Sequence, residues 1–337
     1  MSIKSKHMTD QEFVEFCYLK ILGRNPDRED KIHYKNALSS RHLTREDMMI
    51  QFVTCEEFES RIASQEFVPS GHFYSAIPSI EEREAFLSSN PSDDEKILSI
   101  NLNTQKQIDL LKQFKKYYDQ CPFPDHKTEQ FRYYFSNPAY SYTDALTLYS
   151  MIREFKPKNI IEIGSGFSSC VMLDTSDYFF NGELNLTFIE PYPELLHSLL
   201  KKGDNRRAII PKKVQEVDKN IFCGLEANDI LFIDSTHVSK LNSDVNMIIF
   251  EILASLQKGV LIHFHDIFWP FEYPKEWVRE GRAWNEAYIL RAFLEFNESF
   301  EIFFFSNYLH KYQHKWIKEN MPLYLKNAGG NIWIIKS

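Results

Sequence analysis

Apolar and polar residues follow two different periods along this chain, and the period changes near residue 158. Before that point apolar side chains recur at helical spacing, as Phe13, Cys17 and Ile21 do, which predicts amphipathic helices. After it, short apolar runs alternate with helical stretches, a pattern typical of a parallel α/β sheet. We expect parallel strands near 159–163, 186–190, 229–234 and 259–265 and a final antiparallel pair at 301–306 and 331–336.

The first part of the chain, residues 9–64, is expected to be a small all-helical domain. Three segments place an acid in the third position after a threonine, which is the spacing of a capping box at a helix start. A fourth start pairs an asparagine with a proline at the first helical position, and Gly23 is suited to end the first helix. The four starts are Thr9 with Glu12, Asn25 with Pro26, Thr44 with Asp47, and Thr54 with Glu57.

Residues 65–104 are expected to be a linker and lead-in segment, because Pro, Gly, Ser and acidic residues accumulate there. Residues 105–337 contain the predicted strands and the helices between them, and they form one larger domain. The predicted fold class is therefore α/β: a Rossmann-like doubly wound sheet with a terminal antiparallel strand pair, plus a small all-helical N-terminal domain.

Composition and charge narrow the range of partners. Hydrophobic residues make up 43% of the chain and charged residues 26%, which is typical of a globular protein rather than a disordered one. The 39 basic and 47 acidic residues give a net charge of -8, so we expect no nucleic-acid partner. Five cysteines without a C-x-x-C pair predict neither a disulfide framework nor a zinc knuckle.

The apolar pattern also bears on the compartment. Residues 1–8 are polar and basic, without the apolar stretch of a secretory signal peptide. The most apolar stretch, 247–265, is interrupted by Glu251 and Lys258, so we expect no membrane span. Together with the unpaired cysteines, these features predict a cytoplasmic protein.

A glycine turn after the first predicted strand is the strongest local signal for a ligand site. The strand runs into Gly164-Ser165-Gly166, which opens a predicted helix. Glycines there let the backbone approach a ligand, and the helix N-terminus presents free N–H groups; a plain tight turn is the alternative. Glu190 ends the next strand, where a carboxylate accepts hydrogen bonds from ribose hydroxyls. A nicotinamide cofactor would need a third glycine at Ser169, so a cofactor without a pyrophosphate fits better.

On these residues the chain resembles the class I S-adenosylmethionine-dependent methyltransferases, over roughly residues 68–337. It is similar to a bacterial group that is related to macrocin-type methyltransferases and is often associated with surface glycans. The resemblance implies S-adenosyl-L-methionine as cofactor, with Tyr142 and Asp144 at its methionine end and Gln215 near its adenine. The cofactor-binding residues that the resemblance implies are Glu162, Gly164, Ser165, Gly166, Ser168, Glu190, Tyr142, Asp144, Gln215 and Asp234.

The N-terminal segment carries a resemblance of its own. Ile21-Leu22-Gly23-Arg24-Asn25-Pro26-Asp27 resembles the signature of a small helical domain of unknown function related to phycobilisome linkers. That family has no known catalytic chemistry. The resemblance therefore implies an interaction module, with a protein partner or self-association through residues 9–64.

Two groups of polar residues follow neighbouring predicted strands. Asp234 and His237 follow one strand, and His265 and Asp266 end the next. The carboxyl ends of neighbouring parallel strands share one edge of a sheet, and ligands bind there. Methyl transfer to oxygen requires removal of the hydroxyl proton, so we expect His265 or His237 to act as general base, with Asp234 orienting it.

A divalent cation is a second interpretation of the same residues. Macrocin-type relatives hold such an ion with carboxylates at these strand ends, and Asp234 and Asp266 match those positions, which implies Mg²⁺ or Mn²⁺. The relatives commonly have a further acid where this chain has His265 or Thr236. Hydrogen-bonded structural carboxylates and histidines are the alternative.

The acceptor is expected to meet the insertion at 269–297, which contains Trp284, Asn285 and Glu286. An aromatic ring with an amide and a carboxylate suits a small-molecule or glycan acceptor, although aromatic residues at helical spacing also suit a core. The predicted function is O-methylation of a hydroxyl of a sugar, in a bacterial surface glycan or a glycosylated metabolite. A non-enzymatic Rossmann-fold scaffold that recruits partners through its helical domain and an NAD-dependent oxidoreductase are the alternatives.

Overall fold

The structure is a computed structural model that describes residues 8–63, 67–89, 95–204 and 208–337. The chain divides into two units, Met1–Ser88 and Ser89–Ser337, each with its own cluster of buried apolar side chains. The expected end of the helical domain at residue 64 and part of the expected linker lie outside the described residues.

Threonine caps begin two of the N-terminal helices, as predicted. The hydroxyls of Thr9 and Thr44 accept hydrogen bonds from the backbone N–H groups of Glu12 and Asp47. The carboxylates of these two acids in turn accept the backbone N–H groups of the threonines. Gly23 ends the first helical segment with φ 73°. The helices are α1 (Asp10–Cys17, continued by the π-helical turn Tyr18–Leu22), α2 (Arg28–Ser39), α3 (Arg45–Val53), α4 (Glu56–Ala63) and α5 (Ile80–Ser88).

Two predicted helix starts are wrong. The side chain of Asp27 caps α2 in place of Asn25, so this helix begins later than expected. Thr54 ends α3, and its hydroxyl donates to the carbonyl of Ile50, so it does not cap α4. Several polar side chains near a helix end can bond to the backbone, as Asp27 and Thr54 do here. The spacing of residues alone does not tell which of them will cap the helix.

The segment that composition assigned to a linker contains ordered structure on both sides of the unit boundary. α5 lies in the first unit, while Ile100 and Leu102 are buried in the core of the second. No side chain of α5 is buried, so the helix has no apolar stripe from which it could be predicted.

The larger unit is built on one mixed sheet. Its strands in the described part of the chain are β1 (Asn159–Ile163), β2 (Asn185–Ile189), β3 (Ala208–Ile210), β4 (Ile230–Ile233), β5 (Leu261–His265), β6 (Phe300–Phe305) and β7 (Asn331–Lys336). They lie in the order β3-β2-β1-β4-β5-β7-β6; β1 to β5 are parallel, and β7 is antiparallel to β5 and β6. This confirms the predicted Rossmann-like sheet and its terminal antiparallel pair.

Helices follow most of the strands, and the central strands are buried on both faces, as a covered parallel sheet requires. None of the helices in the described ranges combines the length and the apolar character needed to cross a bilayer. The α-helices of the larger unit, in its described residues, are α6 (Thr104–Tyr118), α7 (Tyr142–Phe155), α8 (Phe167–Phe179), α9 (Glu194–Leu199), α10 (Asn220–Cys223), α11 (Asp244–Met247), α12 (Leu253–Ser255), α13 (Lys275–Arg279), α14 (Glu286–Leu294), α15 (Ser306–Tyr312) and α16 (His314–Asn320).

One edge of the sheet collects the polar residues that the sequence singled out. β1, β2, β4 and β5 are parallel neighbours, so their carboxyl ends lie side by side. The glycine turn at Gly164, Glu190, Asp234 and Asp266 directly follow these four strands. The fold therefore brings them to one place, the ligand-binding edge of an open α/β sheet.

Candidate active site

The glycine turn after β1 is shaped by a close backbone approach. Gly164 has φ 85°, and a Cβ atom at this position would collide with the backbone carbonyl oxygen of Asp234. The next N–H group, that of Ser165, donates to a carboxylate oxygen of Glu190 at 3.2 Å. The turn is thus joined to the ends of both β2 and β4.

Glu162 is a buried carboxyl group beneath this turn. It accepts hydrogen bonds from the hydroxyls of Ser168 and Ser169 in the first turn of α8. Burial is the largest influence on its pKa and raises it to about 8. The Ser169 hydroxyl also accepts the N–H of Gly166 at 3.1 Å. The hydrogen bonds among Glu162, Ser168, Ser169 and Gly166 therefore hold the glycine turn against the start of α8.

A cavity of about 440 Å³ lies between the glycine turn and the ends of β2 and β4. Its wall combines apolar side chains such as Ile189 and Val214 with a few convergent polar groups, as cofactor sites commonly do. Glu190 lies in this wall, and its second carboxylate oxygen accepts the N–H of Tyr192 at 2.8 Å. Four of the predicted cofactor residues line the cavity: Gly164, Glu190, Gln215 and Asp234.

Tyr142 and Asp144 are not among the residues that line this cavity. The Tyr142 hydroxyl donates to Asp125 at 2.7 Å. Asp144 is buried and accepts hydrogen bonds from Asn327, Gly330 and Asn331, at 3.0, 2.9 and 2.6 Å. Both of its oxygens therefore anchor the segment that leads into β7.

An imidazole and two carboxylates meet at the ends of β4 and β5. The Nε2 atom of His237 lies 3.5 Å from Asp234 Oδ1 and 3.4 Å from Asp266 Oδ2. His265 lies alongside, with Nε2 3.4 Å from Asp266 Oδ1. His237 and Asp266 have φ 60° and 58°, values that non-glycine residues rarely adopt and that often mark functional sites. The potential donor atoms of Asp234, His237 and Asp266 lie within 4.8 Å of one another.

A third carboxylate contacts the other ring nitrogen of His237. Glu286, at the start of α14, is 1% exposed, and its Oε2 lies 2.8 Å from His237 Nδ1. The backbone N–H groups of Asn285 and Glu286 both donate to the carbonyl of His237 at 3.1 Å. The Asn285 side chain bonds to the backbone of Ser239. The structure thus directs both side chains toward the loop after β4.

The pKa values in the cluster are set by burial and by the three acids around the His237 imidazole, Asp234, Asp266 and Glu286. Burial acts to lower the pKa of His237, but hydrogen bonds with Asp234 and Glu286 outweigh it and raise this pKa to about 10. Burial acts to raise the pKa of Asp234, but His265 and His237 outweigh it and lower that value. Burial raises the pKa of Asp266. The acids therefore favour a cation at this position, either imidazolium or a metal ion.

Aromatic side chains flank the cluster. The ring of Trp284 lies 4.4 Å from that of His237, with 35° between their planes. Trp277 packs edge-on against Trp284 at 5.1 Å, and the guanidinium of Arg282 lies over both indoles. Trp277 and Trp284 are partly exposed, so the aromatic group borders solvent beside His237.

Sequence reasoning missed two features of the site. No local pattern pairs Glu286 with His237, because 49 positions separate them. The approach of Gly330 was also missed: a Cβ atom there would lie 2.8 Å from the Phe268 ring and 3.5 Å from Asp266 Oδ1. The adjacent Gly329 and Gly330 before the last predicted strand were the available signal for this contact.

Two family models match the chain. Residues 161–267 match the model described as "Methyltransferase domain", which spans β1 to the end of β5 and contains the glycine turn and the histidine cluster. Residues 2–62 match the model described as "Domain of unknown function (DUF4214)".

Individual proteins are also similar. An uncharacterized protein of Archaeoglobus fulgidus is 35% identical over 170 residues, which cover 48% of this chain and 75% of the archaeal protein. A structure of a Podospora anserina methyltransferase bound to S-adenosylhomocysteine aligns with 14% identity, over 72% of this chain and 99% of that chain. Its TM-score of 0.39 is too low to support an argument about function.

Proposed function

The chain belongs to the same family as the archaeal protein and carries a match to a methyltransferase domain. On this premise we propose that it is a class I methyltransferase that uses S-adenosylmethionine to methylate a hydroxyl group of a sugar. The observation that carries the proposal is the meeting of the cavity wall with the histidine cluster at Asp234. This residue lines the cavity and also contacts His237. A donor in the cavity would therefore present its methyl group next to the cluster.

The cavity supports binding of the donor. Glu190 directly follows β2. One of its carboxylate oxygens accepts the N–H of Ser165 in the glycine turn and the other that of Tyr192, and a carboxylate at this place in such a sheet can accept the two hydroxyls of a ribose. The sulfonium of S-adenosylmethionine is positively charged, and the acidic residues Glu190 and Asp234 in the wall favour it.

The cluster supports transfer to oxygen. The acceptor hydroxyl oxygen attacks the methyl carbon, the carbon–sulfur bond breaks, and its electron pair stays on sulfur, giving neutral S-adenosylhomocysteine. The hydroxyl proton must move to a base as the bond forms. His265 is the candidate base, with Asp266 beside it. His237, the other predicted base, contacts Asp234, and its pKa of about 10 means that it already carries a proton near neutral pH and cannot accept another.

The same cluster fits a divalent cation. Asp234, His237 and Asp266 offer two carboxylates and one imidazole nitrogen, and Glu286 holds the other nitrogen of His237 as outer partners of metal-bound histidines do. A mixed oxygen and nitrogen set suits Mn²⁺ better than Mg²⁺. A bound ion would lower the pKa of the acceptor hydroxyl. With His237 as a ligand, the role of base would stay with His265.

The aromatic group supports a sugar acceptor. Trp284 is partly exposed and touches His237, so an acceptor whose hydroxyl reaches the cluster would meet this aromatic side chain at the solvent border. An aromatic face beside polar groups suits the apolar C–H face and the hydroxyls of a pyranose. Glycans of a bacterial surface and glycosylated metabolites carry such rings.

Calorimetric titration with S-adenosylhomocysteine and with NAD tests the cofactor. We expect binding of the first and none of the second; the reverse result would favour the oxidoreductase. Incubation with labelled S-adenosylmethionine and a panel of nucleotide sugars, lipid-linked glycans and small catechols tests the acceptor. Label in the sugars is the expected result, and label only in the catechols would overturn the sugar assignment.

Chelation separates the two versions of the cluster. If an ion is required, EDTA should abolish turnover and leave the binding of S-adenosylhomocysteine unchanged, and added Mn²⁺ should restore turnover. Direct titration of the wild type and of Asp266→Asn with Mn²⁺ gives a second readout, since only the wild type should bind. Full turnover in EDTA would leave His265 as the base without an ion, since His237 is then protonated near neutral pH.

We further propose that residues 9–64 mediate association with a protein partner or with a second copy of this chain. Leu19, Ile32 and Ile50 are exposed apolar side chains in this segment, which supports an interaction surface. Light scattering during size-exclusion chromatography would measure the mass in solution. A monomer at all concentrations would exclude self-association.

A further inference from the structure

Residues 131–141, which we call the strap, link the glycine turn to the histidine cluster. The ring of Tyr134 packs edge-on against Phe167, the first residue of α8 after the glycine turn, at 5.6 Å. The ring of Tyr140 lies 5.1 Å from that of His265 at the end of β5. The strap therefore contacts the carboxyl edge of the sheet at β1 and again at β5.

One buried arginine fastens the strap. The Arg132 side chain is 4% exposed, and its guanidinium nitrogens lie 2.7 Å from Asp174, 2.8 Å from Asp177 and 2.5 Å from Asp204. The backbone N–H groups of Arg132 and Tyr133 both donate to Asp174 at 2.8 Å. A planar guanidinium with five donors can serve three carboxylates at once, which a lysine cannot do.

The three carboxylates belong to the elements that carry the proposed donor site. Asp174 and Asp177 are on α8, which begins at the glycine turn. Asp204 is in the connection between β2 and β3, which starts at Glu190. The same connection brings Leu195 over the turn, 3.6 Å from where a Cβ atom on Gly166 would lie. A single side chain thus joins the strap to two segments that begin at the cavity wall, one at the glycine turn and one at Glu190.

We propose that Arg132 is a positioning residue for the methyl donor, because its guanidinium holds the strap against α8 and the β2–β3 connection. It thereby keeps Tyr134 packed beside the glycine turn and Tyr140 packed beside His265. The inference rests on the proposed function, since it assumes S-adenosylmethionine in the cavity. Without the guanidinium, three carboxylates in or near the protein interior would repel one another, and the segments that carry them would separate.

Arg153 provides a matched control at the other end of α8. Its guanidinium lies 3.7 Å from the ring centroid of Phe179, the last residue of that helix, and donates to Tyr149 and Gln120. Arg132→Gln and Arg153→Gln therefore each remove a partly or fully buried guanidinium that contacts α8. Only the first should affect the donor site.

The experiment measures the Kd of S-adenosylhomocysteine, the KM of S-adenosylmethionine, kcat at saturating donor and the melting temperature. We expect Arg132→Gln to raise Kd and KM by about 10- to 100-fold, the scale of a small misplacement in a binding site. Arg132→Lys, which keeps the charge but not the fork, should recover part of this loss. Arg153→Gln should lower the melting temperature and leave Kd within about twofold of wild type.

Should Arg132→Gln not fold, Arg132→Lys and Asp177→Asn carry the test, because Asp177 is 39% exposed and its change leaves the contacts of Arg132 with Asp174 and Asp204 in place. Folded Arg132 variants with wild-type Kd and KM would overturn the proposal, as would Arg153→Gln raising Kd equally. A wild-type chain that binds neither S-adenosylhomocysteine nor S-adenosylmethionine would instead overturn the proposed function, and the inference with it.

Discussion

Glu162 is a carboxyl group without exposed surface, and the environment that supports the glycine turn also governs its protonation. Its pKa of about 8 in the folded protein lies well above the value of 4.5 that an exposed glutamate has. The folded chain therefore holds a proton on Glu162 across a range of pH in which the unfolded chain has released it.

The first prediction concerns this proton. The folded state binds more protons than the unfolded state between pH 4.5 and about 8. The free energy of unfolding therefore falls as the pH rises through that window, by about 1.4 kcal/mol per pH unit at most. The free energy of unfolding of Glu162→Gln should be close to that of the wild type at pH 4.5 and higher than that of the wild type at pH 8. Urea unfolding at several pH values measures this; parallel curves for the two proteins would contradict it.

The second prediction concerns Glu190. Glu190→Ala removes the carboxylate that joins the glycine turn to the cavity wall, and loss of a charged hydrogen bond to the donor ribose should cost about 1.5–3 kcal/mol of S-adenosylhomocysteine binding. Glu194→Ala, an exposed acid nearby on α9, is the matched control and should bind normally. Calorimetry measures both; a folded Glu190→Ala with wild-type affinity would remove Glu190 from the donor site.

At the scale of elements, a strand can be located from the sequence when it is buried and long enough to leave a continuous run of apolar residues. β1, β4 and β5 were placed within about two residues, because their buried runs of apolar residues are long. β3 was missed, because its three residues lie partly exposed at the sheet edge and form no such run. The positions of Asp234 and Asp266 were predictable, since the ends of neighbouring parallel strands meet. The contact between His237 and Glu286 was not, because it depends on how a distant helix packs.

The turn between β1 and α8 gives the third prediction. Gly164→Ala combines an unfavourable φ of 85° with a collision against the Asp234 carbonyl, whereas Gly203→Ala at φ 104° meets nothing within 4 Å. The second change should cost only the backbone strain, about 1–2 kcal/mol. The first should cost more and also weaken donor binding, because Asp234 must move. Equal losses of stability in the two variants would contradict the close approach.

At the scale of the whole molecule, the two units have separate hydrophobic cores. One cluster forms around Phe13, Tyr18 and Phe52, and the other fills the sheet and its helices. Every residue that lines the cavity or belongs to the histidine cluster lies in the second unit. Separate cores are the usual sign that domains fold independently.

The fourth prediction follows from this separation. A shortened chain that begins at Ser89 should fold and bind S-adenosylhomocysteine with the Kd of the full chain. Circular dichroism and calorimetry measure the two properties. A shortened chain that is insoluble, or that folds without binding, would show that the first unit contributes to the core or to the site of the second.

The position of β7 has a consequence for the order of events during synthesis. This strand lies between β5 and β6 and pairs with both, and Asn331 at its start bonds to Asp144 in α7. While the ribosome is still adding residues 331–336, β5 and β6 have no partner on their facing edges, and such open edges invite pairing with other nascent chains. The sheet can close on this side only once residues 331–336 are available, and until then the facing edges of β5 and β6 stay open.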